Sequence, residues 1–475
     1  MTRVLLLVLI FALGLPALAQ DAPSPAPSKP TNIIFIFIDD LGFADLSCTG
    51  NTKVKTPHLD KLAAEGTLFK QFYVASPICS PSRVGCTTGQ FPARHLINSY
   101  LNNRKRNRER GMRDFLDPMV PCIARAFQEA GYATAHYGKW HMGGGRDVDD
   151  APLPQAYGFH DSLVSFEGLG PRVIFSRAGL RSQSAKLGHG PIQFAAKHRL
   201  TSLYVDKCIS FLKKNKEKPV YLHLWLNDVH DAHNSAPGEA EKFVKVTDNP
   251  LEQKFFAVLV EMDRQIGRLV EAVKKEGLEE KTMFVVTGDN GPTAWKRQYY
   301  DKGIEPPGDT GPYRGRKWSL YEGGIRQPLI VRWPGQVPAG RVDEDTVLAA
   351  VDFFPTFTSI AGVKVPAEAA FDGIDAREAY LGKPLERKKP IFWEYGRDSS
   401  YLQPGLEKDR SPNLALRDGK WKCLINADGT DLQLYDFSES QDEGKNVAPQ
   451  HHEVAQEMAK RLLAWRKSLP VLETE

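Results

Sequence analysis

Three stretches of the chain follow one plan, and that plan restricts the fold more than any other feature. In VPCIARAFQEAGYATAHYGKWH (120–141), LYVDKCISFLKKNKEKPVYLHLWLNDVH (203–230) and LEQKFFAVLVEMDRQIGRLVEAVKKEGLEEKTMFVVTGDNG (251–291), a helical pattern leads into a β-branched and aromatic run, then a polar loop. Runs without apolar/polar alternation read as strands covered on both faces, as parallel strands are when helices cross over them. The repetition predicts an α/β fold with a large, central, mostly parallel mixed sheet flanked by helices. TNIIFIFIDD (31–40) adds another such strand, with two carboxylates at its C-terminal end, and TPHLDKLAAEG (56–66) reads as a short helix closed by Gly66.

At 475 residues the chain has room for one large domain and a smaller one. The texture changes near Glu386 to the short strands KPIFWEY, KWKCLIN and LQLYDF and a final helix over about 451–466. Residues 31–385 are therefore assigned to a catalytic domain and 386–475 to a small α+β subdomain of antiparallel strands and one helix. The N-terminus, with Arg3, an apolar run from Val4 to Leu15 and Ala17-Leu18-Ala19, reads as a signal peptide over 1–19. A Pro/Ser-rich linker follows over 20–30. Export to a bacterial periplasm or secretion is expected, with no membrane span in the mature protein; the chain has no Asn-x-Ser/Thr acceptor, which leans toward a bacterial source. The six cysteines, Cys48, Cys79, Cys86, Cys122, Cys208 and Cys423, are too few in this length for a disulfide framework. A net charge of +4 fits an anionic substrate and excludes little. No nucleic-acid partner is expected.

Ligand sites of open α/β sheets gather at the carboxyl ends of strands. Asp39 and Asp40 follow the first strand, and Asp289 and Asn290 follow TMFVVTG. Carboxylate and amide oxygens are hard ligands that suit calcium or magnesium, although either pair alone would read as a helix cap. Arg83, Lys139, His141, His230 and Lys317 bring cations and imidazoles to comparable loops. A divalent cation surrounded by fixed positive side chains makes a pocket for a tetrahedral oxyanion, so a phosphate or sulfate ester is the expected substrate. The basic run NNRKRNRERGMRDF (102–115), with Arg104, and YGRDSSYLQPGLEKDRSP (395–412), with Arg397, could form rims for a sulfated sugar; the plainer reading of the first is a solvated helix face.

CSPSRVGCTTG (79–89) resembles the signature of the type I, formylglycine-dependent sulfatases of the alkaline-phosphatase-like superfamily. IDDLGFADLSCTGN, GYATAHYGKWHMG, VVTGDNGP, RGRKWSLYEGGIRQPLIVRWPG, DFFPTF and LYDFSESQDEGKNVA are similar to further stretches of that family, in order, over about 31–466. The resemblance implies that Cys79 is oxidised to formylglycine by a formylglycine-generating or an anaerobic sulfatase-maturating enzyme, and that the aldehyde hydrate attacks sulfur. It implies calcium on Asp39, Asp40, Asp289, Asn290 and the matured Cys79. It makes Arg83 the support of the diol, sets Lys139 and His141 beside the formylglycine with His141 the base, and has His230 and Lys317 grip the sulfate and protonate the leaving group, with Lys139 also a substrate contact. Two departures stand out: DVHDAHN (228–234) lacks the family's prolines, so His233 competes with His230, and Gly288 replaces a common serine. The implied activity is sulfate ester hydrolysis on a sulfated carbohydrate. The rivals are a phosphatase or phosphonate monoester hydrolase of the same superfamily and a catalytically silent glycan-binding protein.

Overall fold

The computed structural model describes residues 32–175, 184–365, 369–397 and 402–472; the signal peptide and linker expected over 1–30 lie outside them. The strands of the large sheet are β1 (Asn32–Ile38), β2 (Thr67–Tyr73), β3 (Ala133–Lys139), β4 (Asp161–Ser165), β5 (Arg172–Ile174), β6 (Ile192–Phe194), β7 (Val220–Leu226), β8 (Thr282–Gly288), β9 (Arg326–Arg332), β10 (Arg341–Asp343) and β11 (Leu348–Ala349). Their order is β10-β2-β9-β8-β1-β7-β3-β4-β5-β6, with β11 also on β2. Every pairing is parallel except those of β9, which runs against both β2 and β8. β1 lies between β7 and β8, with Ile38 level with Leu226 on one side and Gly288 on the other. That register brings the residues that follow these strands to one edge.

Two cores form because successive strand residues face opposite ways. Phe35 and Phe37 join Trp225, Val285, Phe353 and Phe357 on one face of the sheet. Ile34, Ile36 and Ile38 join Leu222, Leu224, Leu259, Met262 and Ile266 on the other. The second face is covered by the long helix Pro250–Lys275. Asn249 caps that helix by accepting from the Leu251 amide at 2.9 Å, and Pro250 takes the first helical position, where no backbone donor is needed. Its buried Phe255, Leu259, Met262, Ile266, Leu269 and Val273 recur every three or four residues, the spacing of a single helix face.

The C-terminal region is a four-stranded antiparallel sheet, β12 (Ile391–Glu394), β13 (Leu414–Asp418), β14 (Trp421–Ile425) and β15 (Gln433–Asp436), backed by the helix His452–Ser468. The sequence reading found three of these strands and missed β13, whose NLALRDGKW context holds the Gly419-Lys420 turn of a hairpin with β14. Trp393 ties this sheet to the end of β2 by donating its indole N–H to the Val74 carbonyl at 2.7 Å. No described helix is long and apolar enough to cross a membrane.

Candidate active site at the carboxyl edge of the sheet

Backbone pairing runs one residue past the strand ends. The Asp39 amide donates to Leu226 O and the Asp289 amide to Ile38 O, each at 3.0 Å, so both carboxylates are held by the sheet itself. Asp40 turns into the left-handed region at φ 60, and its amide donates to Asp289 Oδ1 at 3.1 Å. A non-glycine residue in that region is strained, and such strain gathers at functional sites. Gly288 has a steric reason. A Cβ there would meet Gln327 Oε1 at 2.3 Å, and the Gln327 amide already donates to Leu41 O at 2.8 Å.

Cys79 is the first residue of the helix Cys79–Thr88 and is only 2% exposed, so it is not on an accessible loop. The helix N-terminus brings partial positive charge to the sulfur. The thiol donates to Asp39 Oδ1 at 3.1 Å, and the Lys317 ammonium lies 3.8 Å away. One turn on, Arg83 is fully buried and pairs with Asp289 at 2.7 Å. It also donates to Lys139 O at 3.0 Å and lies over the ring of Trp225. Lys139, at the end of β3, reaches Asp39 Oδ2 at 2.6 Å, while Lys317 holds both Asp40 oxygens at 2.6 and 2.8 Å. Three buried carboxylates thus meet three buried cations.

Burial raises the Asp39 carboxyl, but Lys139, His230, Arg83 and Lys317 outweigh it and hold the group well below the usual carboxylate range. Burial also lowers lysines, yet Asp40 keeps Lys317 charged and Asp39 keeps Lys139 charged. The Cys79 thiol is pushed up by burial and by the negative charge of Asp39. An unmodified thiol here is protonated at neutral pH, and only the thiolate is a strong nucleophile.

His230 and His233 are separated by their contacts. His230 donates Nδ1–H to the Asp231 carbonyl at 2.6 Å, which leaves Nε2 directed at the cluster, 3.7 Å from Asp40. His233 bonds through Nε2 to the Val229 carbonyl at 2.9 Å and packs edge-on against Phe255, away from Asp40. His141, also strained at φ 53, lies edge-on to Phe166 and has both ring nitrogens buried without a hydrogen-bond partner. Burial, then Lys139 and Arg83, hold it well below the usual imidazole value. Sequence reasoning missed its neighbour Glu167, whose Oε2 is 3.8 Å from His141 Nε2 and whose Oε1 accepts from Arg146 at 2.9 Å. An acid just past β4 was the available signal. The two proposed rim arginines are paired with acids of the chain itself. Arg104 lies among Asp114, Asp149 and Asp150, and Arg397 makes a two-pronged pair with Glu394 at 3.0 and 2.8 Å.

Asp39, Asp40, Cys79 and His230 each offer a ligand atom, all within 4.8 Å of one another. Asn290 donates its amide to Asp40 at 2.7 Å and leaves its Oδ1 buried without a partner. A buried acceptor left unmatched costs about 1–3 kcal/mol, and a cation beside two carboxylates would satisfy it. The residues present fit a hard metal ion. What the edge can do chemically is hold a tetrahedral anion against fixed positive charge, with two imidazoles in reach to move protons.

Comparison with known proteins agrees with this chemistry. The sulfatase family profile matches residues 31–363, and that of the N-sulphoglucosamine sulphohydrolase C-terminal region matches 308–468. An N-acetylgalactosamine-6-O-sulfatase of Bacteroides thetaiotaomicron is 29% identical, over 92% of this chain and 93% of its own. The N-acetylgalactosamine-6-sulfatase of Canis lupus familiaris is 30% identical, over 82% of this chain and 72% of its own. Among solved structures, Ps i-CgsB in complex with k-i-k-neocarrahexaose superposes with a TM-score of 0.75 at 26% identity, covering 92% of this chain and 93% of that one. With the profile spanning most of the large domain and the buried cysteine, carboxylates and cations meeting at one sheet edge, the chain belongs to the sulfatase family and is a sulfuric ester hydrolase.

Proposed function

We propose that this enzyme removes sulfate from a sulfated carbohydrate, using Cys79 matured to formylglycine and a calcium ion. The observation that carries the reading is the position of Cys79, buried at a helix N-terminus between Asp39 at 3.1 Å and Lys317 at 3.8 Å. Formylglycine would supply an aldehyde hydrate as the nucleophile in place of a thiol that burial keeps protonated. Asp39, Asp40, Asp289 and the unmatched Asn290 oxygen would hold calcium, which supplies charge that polarises a sulfate oxygen.

The remaining work belongs to the chain's own side chains. Lys139 and Lys317 stay protonated and grip the sulfate, where charge fixed in a dry site acts on developing negative charge without reorganising. Arg83, anchored on Asp289, orients the matured residue from below. His141, held neutral, accepts a proton at a ring nitrogen. His230, with Nδ1–H committed to Asp231 O, presents Nε2 to the departing oxygen, and a proton there or on Lys317 completes its release. Exposed Lys296 and Arg297 lie on the loop that borders the His230 segment through Gln298 and Tyr299. Neither is paired with an acid among the described residues, which favours a substrate with further anionic groups. The names of the relatives above, an N-acetylgalactosamine sulfatase and a protein holding a neocarrahexaose, support a sugar.

The apolar N-terminal run supports export to a periplasm or the medium. The test is the mass of the peptide containing Cys79 from the native host, together with turnover of matched sulfate and phosphate esters. A loss of about 18 Da, the thiol-to-aldehyde change that creates the electrophile, with preference for sulfate is the expected result. An unmodified cysteine in a protein that still cleaves sulfate esters would overturn the formylglycine reading, and preference for phosphate would overturn the substrate.

A further inference from the structure

His230 can act only if its ring is aimed, and its own contacts show what aims it. The loop 228–232 carries it between β7 and the long helix, without a regular element of its own. Three carbonyls of that loop, from Asp228, His230 and Ala232, accept from one ammonium, Lys197 Nζ, the first at 3.4 Å and the third at 2.9 Å. The carbonyl between the last two, that of Asp231, instead accepts from the His230 ring at 2.6 Å. An ammonium has three donors, and three alternate carbonyls converge on this one. Lys197 is 6% exposed and sits in the turn Lys197–Arg199 that opens the helix Leu200–Lys214, so its stem is anchored in regular structure. Thr201, four residues on, donates to the Asp228 carboxylate. From the opposite side Tyr299 donates to the Asp231 carboxylate, with Gln298 adding a bond at 3.3 Å.

We infer that Lys197 is the positioning residue of His230. Its ammonium gathers the carbonyls of 228, 230 and 232, which turns the Asp231 carbonyl to the imidazole. That bond requires the proton on Nδ1 and directs Nε2 at the reacting ester. Lys197 touches no substrate and acts through the tautomer and aim of His230, much as a buried partner orients a catalytic imidazole elsewhere. The inference rests on the role proposed above for His230 in releasing the sugar oxygen.

The test uses matured, full-length enzyme and two esters: a sulfated N-acetylgalactosamine, whose alkoxide needs a proton to leave, and nitrophenyl sulfate, whose phenolate does not. General acid catalysis contributes about 10²–10⁴-fold, so Lys197→Met is expected to lose roughly 10²-fold in kcat on the sugar ester and less than about fivefold on the aryl ester. In a His230→Ala background the same substitution should add less than about twofold, because residues that act through one another are not additive. Equal losses on the two esters, or losses that multiply in the double variant, would overturn the proposal by making Lys197 a general stabiliser. Should Lys197→Met not fold, Lys197→Arg decides. A planar fork cannot gather three carbonyls as an ammonium does, so a partial loss confined to the sugar ester is expected, and wild-type rates on both would overturn the inference. A wild type with matured Cys79 that cleaves neither ester fails the sulfatase reading and this inference with it, whereas an active wild type beside indifferent Lys197 variants fails the inference alone.

Discussion

The molecule buries two clusters of opposite charges, and they are built for different ends. At the sheet edge, Asp39, Asp40 and Asp289 meet Arg83, Lys139 and Lys317. Between the two sheets, Lys422 joins Glu322 at 2.8 Å to Glu443 at 2.7 Å, and Glu322 also accepts from Tyr73 at 2.7 Å and Arg326 at 3.2 Å. In the second cluster both Glu322 oxygens are matched, and Lys422, Arg326 and Arg417 hold its carboxyl below the usual value in spite of burial. In the first, Asn290 Oδ1 and both His141 nitrogens are buried without a hydrogen-bond partner. Unmatched atoms beside a set of carboxylates able to hold a metal are what a site needs for a ligand, whereas in the second cluster the one such oxygen of its carboxylates, Glu443 Oε1, is already ion-paired with Lys422 at 2.7 Å. Counting buried ion pairs would not tell the two apart.

Substitutions should separate them, beginning with the most severe. Cys79→Ala is expected to reduce sulfate ester turnover to background with a near-native urea midpoint, since only one buried sulfur is lost. Activity well above background would remove Cys79 from the chemistry. Asp289→Ala should lower turnover by about 10²–10³-fold, in the range seen on losing a key electrostatic group. Bound calcium, measured by elemental analysis, should fall with it; full calcium occupancy would break the assigned ligand set. The mirror experiment is Glu322→Ala. Stranding Lys422 and Arg326 should cost about 3–5 kcal/mol of stability, read from urea unfolding, while kcat of the folded enzyme stays near wild type.

Acid should weaken the ground beneath the catalytic cluster. His136 and His223 are buried under Arg83 with their Nδ1 atoms 3.3 Å apart. Burial, helped by the charge of Arg83, lowers His136 to about 3. The unfolded chain therefore takes up this proton first, near 6.5. The contribution of His136 is fully present above that pH and is lost as pH falls toward 3, at about 1.4 kcal/mol per pH unit. The gap in unfolding free energy between wild type and His136→Phe, measured in urea from pH 7 to about 4.5, should change along this slope, and a gap that does not vary with pH would show that His136 is not buried neutral. The smallest effect is expected from Arg104→Ala. Its carboxylate partners are on the surface, where such pairs contribute about 0–1 kcal/mol, and kcat/KM on a sulfated oligosaccharide should change less than about threefold. A larger loss of kcat/KM at full stability would restore Arg104 as a substrate contact.

What the chain determined locally and what it left to folding divide along a physical line. A residue directly after a parallel strand is placed by backbone hydrogen bonds in register with its neighbours, so Asp39 and Asp289 at one edge, with Lys139 beside them, were legible from strand patterns alone. The long amphipathic helix was legible because its cap and periodicity are local, whereas the helix beginning at Cys79 has no side-chain cap to mark its start. The use made of each side chain was not. Arg104 and Lys296 look alike in sequence, yet one lies among three acids brought from up to 46 residues away and the other, next to the His230 loop, has no acid partner among the described residues. Lys197 carries no local mark, since its meaning comes from carbonyls 31 to 35 residues later. His230 and His233 share one loop, and the carbonyl that each ring meets leaves one directed at Asp40 and the other packed on Phe255. Strand ends and helix starts are set by short-range backbone geometry; the pairing of charges and the aim of an imidazole depend on contacts across the chain, which exist only once it is folded.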